Sequence, residues 1–190
     1  MYQDLLADVR FHRLLFKYDH DMADAARDAG CHCGGVLHSA RYRRKARGVP
    51  AGLDKADYCW RFSFCCAVDG CRGRKTPPSL RFLGPRVYLA PMVVLISTTL
   101  HGATPPRMAQ LSQLFGVDRR TVARWRQWWG ETFMRSPFWQ IARAAFMPPI
   151  DQNRAPASLL ERFAGNDAAQ LLALLRLLAP ITGGAAVHAS

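Results

Sequence analysis

With 49% apolar residues over 190 positions, the chain can bury one sizeable core or two small ones, which excludes wholesale disorder. Twenty-six Lys and Arg against fourteen Asp and Glu leave a net charge of +12, and only four of the cations are lysines (Lys17, Lys45, Lys55 and Lys75). Its longest apolar runs, 89–100 and 171–179, fall short of the roughly 20 residues a transmembrane helix needs.

The charge is concentrated. Residues 31–88 carry +9 and 89–146 carry +5, between ends of −2 and zero. An Arg-rich middle points to an anionic partner, because the planar guanidinium matches two acceptors at once on a phosphate or a guanine edge. Asp4 and Asp8 interrupt any secretory leader pattern at the start, so a cytoplasmic, nucleoid-associated protein with reduced thiols is expected.

In chain order, apolar residues at Leu5, Leu6, Val9, Leu14, Leu15 and Phe16, then Met22, Ala25 and Ala26, predict two short helices over residues 1–30. Asp19 or Asp21 would cap the second, and Gly30 would end it. Residues 31–84 change character, with cysteines beside glycines and a basic run. Between Tyr58 and Phe64 aromatics alternate with Cys59, Arg61 and Ser63, the period of a half-buried strand. The segment 41–55 reads as a loop, and Thr76-Pro77-Pro78 as the close of the unit. Helical patterns follow over 85–100, 105–115 and 118–133. Residues 135–190 predict further helices and a frayed tail after Gly183. The fold class expected is mainly α with a small β zinc ribbon, in four parts: N-terminal helices (1–30), ribbon (31–84), helix-turn-helix (85–134) and C-terminal helices (135–190).

Two cysteine clusters about thirty residues apart, Cys31-His32-Cys33-Gly34-Gly35 and Cys65-Cys66-Ala67-Val68-Asp69-Gly70-Cys71, have the layout of a four-thiolate zinc site. Glycine beside a thiolate lets the backbone fold back around a metal. The expected ligands of one structural Zn2+ are Cys31, Cys33, Cys66 and Cys71. Cys65 is the alternative to Cys66, His32 and His38 are alternative nitrogen donors, and Cys59 is expected to pack as a small apolar residue. A catalytic zinc would need an open position and a nearby general base; the deaminase pattern of His-x-Glu with Pro-Cys-x-x-Cys is absent, and the chain has only Glu131 and Glu161. A nuclease built on His12, His20, His32 or His38 finds no recognisable spacing.

Met108 to Gln127, MAQLSQLFGVDRRTVARWRQ, fits the helix-turn-helix template. Leu111 and Phe115 supply a buried stripe, Ser112 a close crossing and Gly116 the left-handed turn. Asp118 supplies a cap, and Val122 and Trp125 continue the core. This leaves Arg119, Arg120, Thr121, Arg124 and Gln127 facing outward, where a recognition helix meets base edges. Arg43, Arg44 and Lys45 in the ribbon are expected on phosphates. Trp128 and Trp129 read as packing residues or, in a sharper alternative, as a stacking platform for single-stranded nucleic acid.

The order of these parts, CHCGG, then YCWRFSFCCAVDGCRGRKTPPS, then FGVDRRTVARW, resembles the N-terminal region of zinc-ribbon bacterial insertion-sequence transposases. It also resembles the small DNA-binding regulators encoded beside some insertion sequences. The resemblance covers about residues 31–130. It implies recognition of element ends or repression of the element's promoter, with double-stranded DNA as partner and a second copy, a transposase or a recombinase as protein partner. A transposase would continue into a catalytic domain carrying three carboxylates. Residues 131–190 are too short and offer only Glu131, Asp151, Glu161 and Asp167, so no cleavage chemistry is expected. The rival expectation is a protein-interaction adaptor using the ribbon and the Leu-rich segment 171–180.

Overall fold

The computed structural model describes residues 2–83, 88–99 and 116–185 and, between the last two stretches, Pro106, Ala109 and Gln113. Helices and a small antiparallel sheet share the chain, a mixed architecture in place of a mainly α one. The chain divides into two compact units. One joins residues 3–90 to the chain end from residue 175, and the other holds residues 91–174.

The first unit opens with α1 (Tyr2–Ala7) and the 20-residue α2 (Val9–Asp28). Asp8 caps α2, its carboxylate accepting the Arg10 N–H at 2.8 Å. Asp19 therefore caps nothing. It lies mid-helix, fully buried, on the stripe that also buries Phe11, His12, Leu15 and Ala23. His12 is sealed there too, its Nδ1 2.9 Å from the Tyr58 hydroxyl. Burial pulls its pKa down to about 4, so it is neutral at physiological pH and holds the helix in place.

Asp19 is the counter-ion of Arg81, at 2.8 Å, with both side chains at zero exposure. Ser79 Oγ and the Leu80 N–H also donate to that carboxylate. The Arg81 guanidinium further donates to the Tyr58 and Trp60 carbonyls and sits within 5.6 Å of the ring centres of Phe16, Tyr58, Phe62 and Phe82. A buried charge is tolerated because each of the three guanidinium nitrogens has an acceptor. The Thr-Pro-Pro segment consequently does not close this unit, which runs on through the buried residues Ser79 to Leu83.

The sheet has strand order β1 (Leu37–Ser39), β4 (Phe64–Cys66), β5 (Arg74–Thr76), β6 (Gly184–Ala185), all antiparallel. Leu37 pairs with Cys66 and Phe64 with Lys75. A separate ribbon pairs β2 (Tyr42–Arg43) with β3 (Trp60–Arg61), after a short α3 (Lys55–Tyr58). The single strand expected over Tyr58–Phe64 is thus broken, because the segment is covered on both sides. Arg61 and Ser63 are as buried as Phe64, and Arg61 donates to the carbonyls of Pro77 and Thr182. Residues 184–185 do not fray. They complete the sheet, with Thr182 Oγ1 accepting the Ser79 N–H at 2.7 Å.

In the second unit, α4 (Ala90–Thr99) is apolar all round and buried from Ala90 to Ser97. Among the described residues no helix is long and apolar enough to cross a membrane. Most of the first helix of the expected helix-turn-helix, with Leu111, Ser112 and Phe115, lies outside the described residues, as do the start of the 85–100 segment and residues 186–190. The helix Arg119–Gln127 runs into a π-helical turn, Trp128–Phe133, whose Trp129 and Phe133 are buried with Trp139. Ring centres 5.1 and 5.2 Å apart join Phe133 to Trp129 and Trp139. These rings form a core, and Trp129 presents no face to a base.

Candidate metal centre and cationic surfaces

Two knuckles bring Cys31, Cys33, Cys66 and Cys71 together, with all four sulfurs within 4.8 Å of one another. In the first knuckle the Gly34 N–H returns to the Cys31 carbonyl at 2.9 Å and the Cys31 N–H to Gly35 at 3.1 Å. Gly34 makes this turn at φ +79°, where a Cβ would be strained. In the second, the Cys66 N–H reaches the Gly73 carbonyl at 2.9 Å and the Cys71 N–H that of Val68 at 3.2 Å. Pairing of β1 with β4 then sets the knuckles side by side.

The distances fit a metal. Cys31 Sγ lies 3.7 Å from Cys71 Sγ, and Cys33 Sγ 3.5 Å from Cys66 Sγ. A tetrahedral ion with bonds of about 2.3 Å to sulfur sets an edge of about 3.8 Å between ligands. No disulfide joins these cysteines. The four thiols can hold a metal ion such as zinc.

Backbone amides are already aimed at the sulfurs. Each thiol faces the N–H two residues on: Cys33 for Cys31, Gly35 for Cys33, Val68 for Cys66 and Gly73 for Cys71. The Gly35 amide, helped by the thiols of Cys71 and Cys66, brings Cys33 down to about 7. The Val68 amide, 3.4 Å away, pulls Cys66 the same way, but lost solvent and the neighbouring thiols together push it up to about 12. The quartet is arranged to share negative charge, and a divalent cation would relieve the conflict.

Cys65, the alternative ligand, points away, toward the carbonyls of Cys66 and Arg72 at 3.7 Å. Strand parity places neighbours on opposite faces, and Cys66 is the one facing Leu37, Phe64 and Ala23. His32 Nδ1 lies 3.5 Å from Cys31 Sγ, beside the quartet but outside it, and Cys59 is buried in the core. A cleft of about 280 Å³ lined by Cys31, His32, Gly73, Arg74 and Lys75 opens beside the centre, placing cations near the thiolates.

Gly35 is a site residue that cysteine spacing alone does not single out. A Cβ there would fall 2.7 Å from Cys66 Sγ and 2.6 Å from Val68 Cγ2. Gly35→Ala is expected to weaken metal binding by about tenfold or more while the protein still folds with excess metal. Competition against a chromophoric chelator measures this, and an unchanged affinity would show that the knuckle does not close on Gly35.

The other expected site residues lie in two places. Arg119, Arg120, Arg124 and Gln127 are exposed on one helix of the second unit. At 100° per residue they span about 140° of arc, opposite the buried Val122 and Trp125. The Thr121 N–H donates to Asp118 at 2.6 Å, and this amide, the Thr121 hydroxyl and Arg124 hold the Asp118 carboxyl below its usual range. Thr121 is not outward-facing as expected. It is buried, because its hydroxyl turns back to the cap and receives Arg124 Nη2 at 3.0 Å. Gly116 makes the preceding turn at φ +62° and Val117 is buried. Gln127 donates to Glu131 at 3.2 Å. In the first unit Arg43 and Lys45 are exposed and Arg44 is half-buried.

The chain matches no family model, and no curated protein or solved structure is significantly similar to it.

Proposed function

We propose that the protein is a non-catalytic DNA-binding protein of a mobile element, an accessory factor or repressor whose structural Zn2+ is held by Cys31, Cys33, Cys66 and Cys71. The observation that carries this reading is the capped helix Arg119–Gln127, which turns three arginines and a glutamine outward on one face while its other face is buried. Such a face suits the major groove, where Arg meets guanine and Gln meets adenine. Arg124 is held by Thr121, so part of its ordering precedes contact. The thiolate cluster supports the reading as the staple a small basic ribbon needs. The partners in this reading are double-stranded DNA and, through it, a second copy or a transposase or recombinase. It places the protein in the cytoplasm on the nucleoid. Of the two surfaces the adaptor alternative would use, the ribbon and the Leu-rich segment, the second is turned inward, since Leu171, Leu174, Leu175 and Leu178 are buried.

Selection of bound sequences from random duplex DNA, with zinc supplied, tests the proposal. Arg124→Ala is expected to cost about 1–3 kcal/mol on the preferred site and to flatten the difference between matched and scrambled duplexes. Equal weakening on every sequence would remove this helix as the reader.

A further inference from the structure

The segment RYRRKAR, residues 41–47, carries five cations, and the structure seats every third residue of it. The Arg41 guanidinium lies 4.9 Å from the Trp60 ring centre, Arg44 6.0 Å from Phe82 and Arg47 5.6 Å from Tyr88, with Arg47 Nη1 also donating to the Tyr88 hydroxyl at 3.2 Å. The three rings come from three different stretches of the first unit. The backbone is fixed between them: Arg43 pairs with Trp60, the Arg44 N–H donates to the Cys59 carbonyl at 2.8 Å, and the Leu89 N–H donates to the Arg47 carbonyl at 3.1 Å. Arg41, Arg43, Lys45 and Arg47 have no acidic partner among the described residues.

We infer that Arg41, Arg44 and Arg47 form a row of pre-oriented guanidiniums that grips the phosphate backbone of duplex DNA without reading its sequence. The inference rests on the DNA-binding reading above and deepens it. Arginine on an aromatic face keeps its charge while losing rotamer freedom beforehand, so less ordering remains to be done on contact. The same geometry decides between duplex and single strand. Phe82 and Tyr88 are buried and Arg41 lies over Trp60, so the rings that seat the arginines are not a platform for bases; Tyr42 is the exposed ring of the segment, one ring where a single-strand platform stacks successive bases. What remains is a phosphate-binding surface, and a duplex offers it twice the charge per length of a single strand. The exposed Arg43 and Lys45, which no ring seats, add charge but not direction.

The test uses the full chain, zinc-loaded, on a scrambled duplex and the matching single strand across a salt series. The wild type is expected to prefer the duplex. Combined Arg41→Ala, Arg44→Ala and Arg47→Ala should weaken duplex binding and make the slope of log affinity against log salt shallower by about 2.7, near 0.9 per lost contact. Trp60→Leu and Arg41→Lys keep every charge, so each should leave the slope unchanged while lowering affinity about three- to tenfold, the mark of lost pre-orientation. Unchanged affinity and slope in the triple variant, with wild type binding and Arg124→Ala still flattening discrimination, would overturn this inference and spare the function proposed above. Tighter binding of the single strand would overturn it as well. A wild type that binds no duplex at any salt would sink both.

Discussion

Cys66→Ser and Cys71→Ser are each expected to release the metal and unfold the ribbon unit, whereas Cys59→Ala and Cys65→Ser keep it bound. The four sulfurs of the cluster converge within 4.8 Å, and Cys59 and Cys65 stand outside it. Structural zinc contributes on the order of 10–16 kcal/mol of apparent binding energy in small zinc domains near pH 7, and there that energy is folding energy. Losing even about 3 kcal/mol of it would lower the unfolding midpoint of a unit this size by roughly 12–24 °C. Elemental analysis should find one zinc per chain in the wild type, and circular dichroism melts should separate the two pairs of variants. Equal metal loss in all four would mean the ligand set is wrong. The direction with pH follows from proton competition. Capture of the ion displaces protons from thiols such as Cys33, near 7, and Cys66, near 12, so occupancy should hold above neutrality and fall as the pH drops below 7.

Asp19→Ala should cost about 3–5 kcal/mol, because it strands the Arg81 charge at zero solvent exposure among four aromatic rings. It also removes the acceptor for Ser79 Oγ and the Leu80 N–H. Replacing the pair together, Asp19→Leu with Arg81→Met, should be milder than the single change, since no unpaired charge is left behind. Urea unfolding of the wild type and the two variants reads both effects. A single-variant loss under about 1 kcal/mol would mean that solvent reaches the pair.

What could be read from the residues was local chemistry. Gly116, Asp118, Val122 and Trp125 lie within ten positions of one another, and turn, cap and buried stripe follow directly from residue type at that spacing. The thiolate quartet was legible because two knuckles need little besides cysteine, glycine and a hairpin-sized gap. Asp19 misled for the opposite reason. Its partner is 62 positions away, and an acidic residue on an amphipathic segment reads as a cap until a distant arginine is known to meet it. The 58–64 segment failed similarly. Alternating aromatics imply one wet face, yet Arg61 and Ser63 are buried, and Arg61 there meets the carbonyls of Pro77 and Thr182. Thr121 was misassigned because a hydroxyl at the third position of a helix can face the groove or return to the cap, and here the Asp118 carboxylate takes it.

The pairing of β5 with β6 joins Lys75 to Ala185 across the whole of the second unit, and this sets an order of events in time. All four thiolates emerge from the ribosome by Cys71, while the strand that finishes their sheet follows more than a hundred residues later. At about 5–20 residues per second the interval is roughly 6–20 s. For most of it, from Arg81 on, the nascent ribbon has its knuckles, α2 and both members of the Asp19–Arg81 pair, but lacks Thr182 as an acceptor for Arg61 and has β5 as an open edge. A metal captured early by the four thiols would hold this half-finished, strongly basic sheet in register until its last strand arrives.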